Sequence, residues 1–333
     1  MVVGGKVAVI GATGYLGGKV AAVLRARRRP VRALVQHGTN ADALRALGVE
    51  IVRVDVHDRT SLDPLLDGMT TLVCTAFGHS QHRPSDSPEQ DDDSGYRSLV
   101  DAARNTGLSR FVFTSVFSCD EAHDAPQFRR KKLAEDYLES SGVPFVSLRP
   151  GFFFDNYFNS WVKTLQEGRL GAVGDPTVRW THILADDVAR CLALAVDEPR
   201  ALGRRIDLGC DRPVSANDLA EAFSAFGGSE IRVDTVPWWL FGLAARFHAL
   251  ANPTVLDFRE IFKHLLTGLC VADTSVQADL FGPVPTVEDS LSRWLAPALA
   301  LAASQRTRPR RSSGFLDKET VGTPLTSGRR ECP

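Results

Sequence analysis

The chain has 333 residues, 44% of them hydrophobic and 24% charged, with a formal net charge of −1. That balance excludes a disordered polyampholyte and a basic nucleic-acid binder, and no uncharged apolar run reaches the ~18 residues of a membrane span. Six cysteines, at 74, 119, 191, 210, 270 and 332, stand singly without Cys-x-x-Cys spacing, which reads as buried thiols in a reducing compartment. With no basic, cleavable leader at its start, the chain reads as a soluble cytoplasmic protein.

In chain order, Lys6–Ile10 is a short apolar β-rich run that enters Gly11-Ala12-Thr13-Gly14-Tyr15-Leu16-Gly17-Gly18 and then an Ala/Val/Leu-rich helical pattern. A buried strand turning at once into a helix leaves the first helical amides unpaired. The positive end of the helix dipole then faces the turn, where a pyrophosphate is favoured. The Gly-x-x-Gly-x-x-Gly spacing lets phosphate approach the backbone, so residues 6–28 read as the first βα unit of a dinucleotide-binding sheet. Runs 31–35, 50–54, 71–75, 110–114 and 144–148 read as further strands, separated by helical stretches at 41–47, 99–105 and 132–138. This alternation predicts an α/β Rossmann fold, a doubly wound parallel sheet with helices on both faces and its ligand at the strands' C-terminal edge.

The segment from Gly78 to Gly95, rich in Pro, Ser and Asp, reads as a mobile loop at the rim. Residues 1–155 read as the nucleotide-binding domain and 156–303 as a smaller, mostly helical substrate region partly interleaved with the sheet. Helices of that cap are expected at 156–166, 187–196, 217–226 and 237–250. The last contains an amphipathic stripe, Trp238, Trp239, Phe241, Leu243, Phe247 and Leu250, that reads as core or lid rather than as a membrane contact. From 304 to 333 the composition predicts a disordered tail.

Together, Gly11-Ala-Thr-Gly-Tyr-Leu-Gly17, Val54-Asp55-Val56, Ala102-Ala-Arg-Asn-Thr-Gly107, Arg110-Phe-Val-Phe-Thr-Ser115, Ser141-Gly-Val-Pro144, Arg149-Pro-Gly-Phe-Phe-Phe-Asp-Asn156 and Asp187-Val-Ala189 resemble the atypical short-chain dehydrogenase/reductases, nearest to their NmrA-like branch. The resemblance implies a bound NAD(H) or NADP(H) and a variable C-terminal substrate region. It implies that Gly11, Thr13, Gly14, Tyr15, Leu16 and Gly17 hold the pyrophosphate and that Asp55 and Val56 border the adenine. Thr75, Ala76 and Phe77 would pass under the ribose and nicotinamide, Lys131 would reach the nicotinamide ribose, and Phe152 and Phe153 would flank the ring. The residues themselves leave blander readings open. Asp55 serves equally as a turn cap, Lys131 lies in the run Arg129-Arg130-Lys131-Lys132 that reads as a solvated helix start, and Phe152–Phe154 suit a core.

Two departures matter. About 20 residues past the glycines, an acid favours NAD and an arginine NADP. Here the residue is Gln36, and Arg32 cannot replace it, since four residues at about 3.3 Å each leave it roughly 13 Å from the binding edge. His37 remains available, and the absence of a repelling acid tilts the expectation to NADP(H). The second departure is at Gln127, four residues before Lys131, where the superfamily carries the tyrosine that donates a proton. Glutamine has none to give at neutral pH. Lys131 and Ser115 are the catalytic candidates, with Asp120, His123, Tyr157 and His182 as further substitutes for the missing acid. His79-x-x-His82 lacks an organised third ligand, so no metal is expected.

The reading that follows is an NAD(P)H-dependent oxidoreductase acting on a small, fairly apolar carbonyl or enone-like substrate. The alternatives are a non-catalytic NADP(H)-sensing regulator with a protein partner, and an isomerase or lyase with tightly held cofactor.

Overall fold

Val7–Ile10 is four apolar residues in a row, all buried, and forms a strand covered on both faces. It is β1 of the computed structural model, which describes residues 5–54, 59–76, 88–122, 124–157, 164, 166–249 and 254–306. The chain continues through α1 (Tyr15–Ala26), β2 (Val31–Gln36), α2 (Asp42–Ala46), β3 (Glu50–Val54), α3 (Arg59–Leu66), β4 (Thr71–Cys74), α4 (Pro88–Asn105), β5 (Arg110–Thr114), α5 (Pro126–Ser140) and β6 (Phe145–Pro150). These six strands and a seventh, β10 (Arg204–Leu208), form one sheet in the order β10-β6-β5-β4-β1-β2-β3, every pair parallel.

Alternation along the strands divides the core. Val7, Val9, Val73, Val112 and Val146 face Val20 and Leu24 of α1 and Val188 and Leu192 of a later helix. Ala8, Ile10, Leu72, Phe111 and Phe113 face Leu62 and Leu66 of α3, Leu99 and Ala103 of α4 and Leu138 of α5. A period-2 strand packed between period-3.6 helices gives this layering.

Three expectations change. The stretch read as a loop to Gly95 is helical from Pro88 onward, giving α4 of 18 residues. Proline fits a first helical turn and acidic residues favour a helix N-terminus, so Pro88 and the acids after it start a helix here. Residues 77–87 lie outside those described. Of the helix expected at 156–166, the start is a 3₁₀ turn at Phe154–Tyr157, residues 164 and 166 are helical, and 158–163 and 165 lie outside those described.

The third change concerns 187–196, assigned by sequence to the cap. After the short β7 (Phe152–Phe153), β8 (Arg169–Val173) and β9 (His182–Ile183), α6 (Ala185–Ala195) lies on the main sheet beside α1, its apolar stripe buried over β5 and β6. β10 (Arg204–Leu208) then pairs with β6 and completes the sheet.

Away from the sheet lie α7 (Ala216–Gly227), β11 (Arg232–Val236), α8 (Trp238–Ala249), α9 (Thr254–Leu265) and α11 (Val287–Arg306), while α10 (Ser275–Phe281) puts Leu280 and Phe281 into the sheet's core beside β10 and α6. β11 pairs with β8, and α11 carries Ser304–Arg306, which the sequence assigns to the tail. The stripe of α8 is divided. Trp238 and Phe241 pack ring to ring at a tilt of 33°, and Phe241 meets Phe262 of α9 edge-on. Trp239 and Phe247 are 69% and 66% exposed, so this helix is not core throughout. Among the described residues no helix is long and apolar enough to cross a membrane.

Candidate functional site

The turn between β1 and α1 is built from backbone. Gly11 has φ +80°, a left-handed conformation that favours glycine, and its carbonyl accepts the Gly14 N–H at 2.9 Å. A Cβ on Gly11 would lie 2.8 Å from the Ala76 nitrogen and the Thr75 hydroxyl, and one on Gly17 would overlap the Gly11 carbonyl. Gly14 is different: a Cβ there meets only the Gly11 oxygen at 3.2 Å. No side chain caps the first amides of α1, and no acid lies in its first turn. The uncapped amides and positive dipole end fit a pyrophosphate.

Thr13 and Gly14 are exposed, Leu16 packs into the core, and Tyr15, 63% exposed, donates its hydroxyl to Asp155 Oδ1 at 2.8 Å. Burial first, and then Asp155, raise the Tyr15 phenol above its ordinary pKa. The other oxygen of Asp155 accepts the Ala185 N–H at 2.8 Å, and Lys19 pairs with Asp186. The turn is thus clasped to the start of α6. Asp155 stands in a motif of the sequence, but its part in this clasp is visible only in the fold.

Beside the turn, the Thr75 hydroxyl is spent on the Ile10 carbonyl at 2.9 Å, and the Ala76 carbonyl accepts hydrogen bonds from two groups. One is Tyr96 of α4, at 2.9 Å; the other is Lys131, at 3.3 Å. Lys131 also donates to Tyr96 Oη at 2.7 Å and to the Thr114 carbonyl at 2.9 Å. The solvated-helix reading of Arg129–Lys132 therefore fails where it matters: Lys131 is buried, as is Arg130, while of the four only Arg129 is exposed. An ammonium out of bulk water needs acceptors, and two strand ends and a phenol supply them. Tyr96 was missed by sequence reasoning. Its one signal is its place at i, i+3, i+4, i+7 with Leu99, Val100 and Ala103 on the buried face of α4.

One turn along α5, Glu135 is fully buried and accepts from Ser147, from Arg149 through Nε at 3.0 Å and Nη2 at 2.5 Å, and from Arg205 at 3.2 Å. This network pins the helix to β6 and fixes the height of Lys131 above the sheet. Gln127, one turn before Lys131, is also buried, yet its amide nitrogen has no hydrogen-bond partner.

The substitutes for the missing acid sort by geometry. Asp120 bonds Arg149 at 2.5 Å; burial pushes its carboxyl up, but Arg149 and Lys132 hold it below its ordinary range. It is a carboxylate, without a proton to give. His182 is wholly buried, takes the Trp180 indole N–H on Nε2 at 2.8 Å and faces the Trp180 carbonyl with Nδ1 at 3.1 Å. Burial lowers it to about 4, so it is neutral and both nitrogens are occupied. Ser115 is buried with its hydroxyl 3.9 Å from the Cys119 sulfur. Asp55, Val56, Phe77, His79, His82 and His123 lie outside the described residues, as does the side chain of Tyr157.

Phe152 joins an aromatic cluster, 6.4 Å between centroids from Trp180 and from His182, while Phe153 packs toward the sheet. At the end of β2 the Gln36 carbonyl accepts Arg53 Nη1 at 2.7 Å, which also reaches the Thr39 carbonyl at 2.6 Å. Arg32 is spent on Glu50 at 2.9 Å, away from the edge. The guanidinium near Gln36 thus comes from β3, the neighbouring strand.

The NmrA-like family model matches residues 4–256. Quinone oxidoreductase 2 of Escherichia coli is 25% identical over 296 residues, 86% of this chain and 97% of that protein. The Arabidopsis thaliana chloroplast protein High Chlorophyll Fluorescence Phenotype 244 is 26% identical over 70% of this chain, which spans only 58% of that relative's length. The NAD(P)H azoreductase of Xenophilus azovorans is 25% identical over 67% of this chain and 74% of its own. Among solved structures, the NADPH complex of the E. coli quinone oxidoreductase superposes with a TM-score of 0.73 at 22% identity, covering 86% of this chain and 99% of that one. The Citrobacter triphenylmethane reductase with NADP(H) gives 0.73 at 19% identity, covering 87% and 100%.

Proposed function

Because the chain belongs to the NmrA-like family, we propose that it is an NAD(P)H-dependent oxidoreductase, NADP(H) preferred, that reduces a small, fairly apolar carbonyl or enone-like acceptor. The observation that carries this reading is the junction of the uncapped glycine turn with the buried Lys131, both at the C-terminal ends of the adjacent strands β1, β4 and β5. In a doubly wound sheet that edge is where ligands bind. Gly11, Thr13, Gly14, Tyr15, Leu16 and Gly17 cradle the pyrophosphate, Thr75 and Ala76 form the floor, Lys131 holds the nicotinamide ribose, and Phe152 and Phe153 wall the ring. The bound cofactor supplies a hydride. Preference for NADP(H) is supported by the lack of an acid at Gln36 and by the Arg53 guanidinium fixed beside it. A quinone oxidoreductase and an azoreductase among the relatives support a conjugated acceptor.

A second reading, a dinucleotide-responsive regulator, draws on the exposed apolar face of α8 at Trp239, Leu243 and Phe247, a surface a partner protein would cover. Titration of the purified protein with the four nicotinamide nucleotides, followed by carbonyl and quinone acceptors under loss of reduced-cofactor absorbance, separates the two. An enzyme binds NADPH and consumes it with an acceptor. Tight NADPH binding with every acceptor inert favours the regulator, and no nucleotide binding at all defeats both.

A further inference from the structure

Gln127, Lys131 and Glu135 stand at i, i+4 and i+8 and so share one face of α5. Two of the three have hydrogen-bond partners: Glu135 accepts from Ser147, Arg149 and Arg205, and Lys131 donates to Tyr96, Ala76 and Thr114. Gln127 is 9% exposed, and its amide nitrogen is without a partner. A buried donor left unsatisfied costs about 1–3 kcal/mol, and a leucine or methionine at the same place would avoid it. The helix runs antiparallel to the strands, as in any βα unit, so Gln127 is one turn farther out than Lys131, over the edge that holds the glycine turn. Side chains lean toward a helix's N-terminus, which carries the amide further in that direction.

Resting on the oxidoreductase reading, we infer that Gln127 binds the acceptor: its amide N–H donates to the oxygen that gains charge when hydride arrives, and it thereby restricts the enzyme to acceptors whose reduced oxygen is a weak base. The restriction follows from chemistry. An amide gives a hydrogen bond but keeps its proton. An isolated ketone or aldehyde reduced without an acid becomes an alkoxide, a base comparable in strength to hydroxide. A quinone becomes a phenolate-like anion, with a conjugate acid near pKa ~10, which a hydrogen bond can hold until solvent protonates it. In the balanced step the C–H bond of the reduced nicotinamide breaks and its electron pair goes with the hydride to form the new bond on the acceptor. The cofactor is oxidised, the acceptor becomes its monoanion on the Gln127 amide, and water supplies the one proton that completes the quinol.

The test uses the full chain with Gln127→Leu and Gln127→Ala, 1,4-naphthoquinone against benzaldehyde as acceptors, and binding of the redox-inert 1-naphthol to the NADP⁺-loaded protein. Expected are wild-type turnover of the quinone and not of the aldehyde, and a drop in quinone kcat/KM of about tenfold to a hundredfold in both variants. Also expected are about tenfold weaker 1-naphthol binding and unchanged NADPH affinity. Melting temperature in Gln127→Leu should hold or rise, as it does when a buried orphan is replaced by an apolar group. Equal quinone kinetics in wild type and variants overturn the inference alone, and comparable wild-type rates on benzaldehyde overturn the restriction. A loss of NADPH affinity instead would assign the amide to the cofactor and overturn it too. If no acceptor turns over but Gln127→Leu still weakens 1-naphthol, the hydrogen bond stands and the oxidoreductase reading falls.

Discussion

The glycine turn and the lysine cleft meet at the same sheet edge but are made in opposite ways. The turn uses seven consecutive residues, and its chemistry is backbone: unpaired amides, a positive φ at Gly11 and close approach at Gly17. The cleft joins α4, α5, β4 and β5 through Tyr96, Lys131, Ala76 and Thr114, and its chemistry is a buried cation with borrowed acceptors. A backbone site tolerates no new Cβ where the chain crosses itself. A side-chain site tolerates exchange of shape but not the removal of one partner.

The largest effect expected from that contrast divides the glycines among themselves. Gly11→Val and Gly17→Val force a side chain into backbone and should leave little folded protein, a loss of several kcal/mol. Gly14→Val should fold, since its Cβ meets only one oxygen at 3.2 Å, and should lose dinucleotide binding because the side chain stands over the uncapped amides. Circular dichroism and nucleotide fluorescence read the two outcomes; unchanged NADPH affinity in folded Gly14→Val would remove the pyrophosphate from this turn.

Acid should strain the tertiary side of the molecule through His182. Folded, burial keeps its imidazole neutral down to about pH 4, while the unfolded chain takes up that proton near 6.5. The unfolded state binds more protons in between, so this group's stabilisation is full above pH 6.5 and is lost as pH falls toward 4. The amount is on the order of 3 kcal/mol. Asp207, which burial raises to about 6, works in the opposite direction, so the clean measure is the difference between wild type and His182→Asn in urea melts from pH 7 to 4.5. Parallel curves would mean that His182 is not held neutral.

Lys131→Ala strips a partner from Tyr96 and from two carbonyls and should cost about 1–3 kcal/mol of stability together with cofactor affinity. Lys132, partly exposed and paired with Asp136 four residues on, is the control, with an expected cost below about 0.5 kcal/mol. Equal urea midpoints for the two variants would contradict the buried cluster. The smallest effect is at the rim, where Gln36→Arg should strengthen NADPH over NADH by about tenfold, near 1.4 kcal/mol, by pairing with the 2′-phosphate. No change in the ratio of the two dissociation constants would locate the phosphate elsewhere.

The strand–turn–helix at 6–28 and the parallel sheet were legible because their causes are local: apolar runs of strand length, glycines at fixed spacing, and helical periodicity between them. The same local logic placed Lys131 in a charged run and missed that the run straddles a helix, so that 129 faces water while 130 and 131 face inward. Which acceptors a buried lysine finds depends on strands β4 and β5 ending beside each other, and those ends lie 38 residues apart, at Ala76 and Thr114. Sequence alone also identified Gln127 as a position with no proton to transfer. That its amide is buried and unpaired, that α6 lies on the sheet, and that Arg53 stands by Gln36 were decided by packing, because burial and partnership are properties of elements brought together from distant parts of the chain.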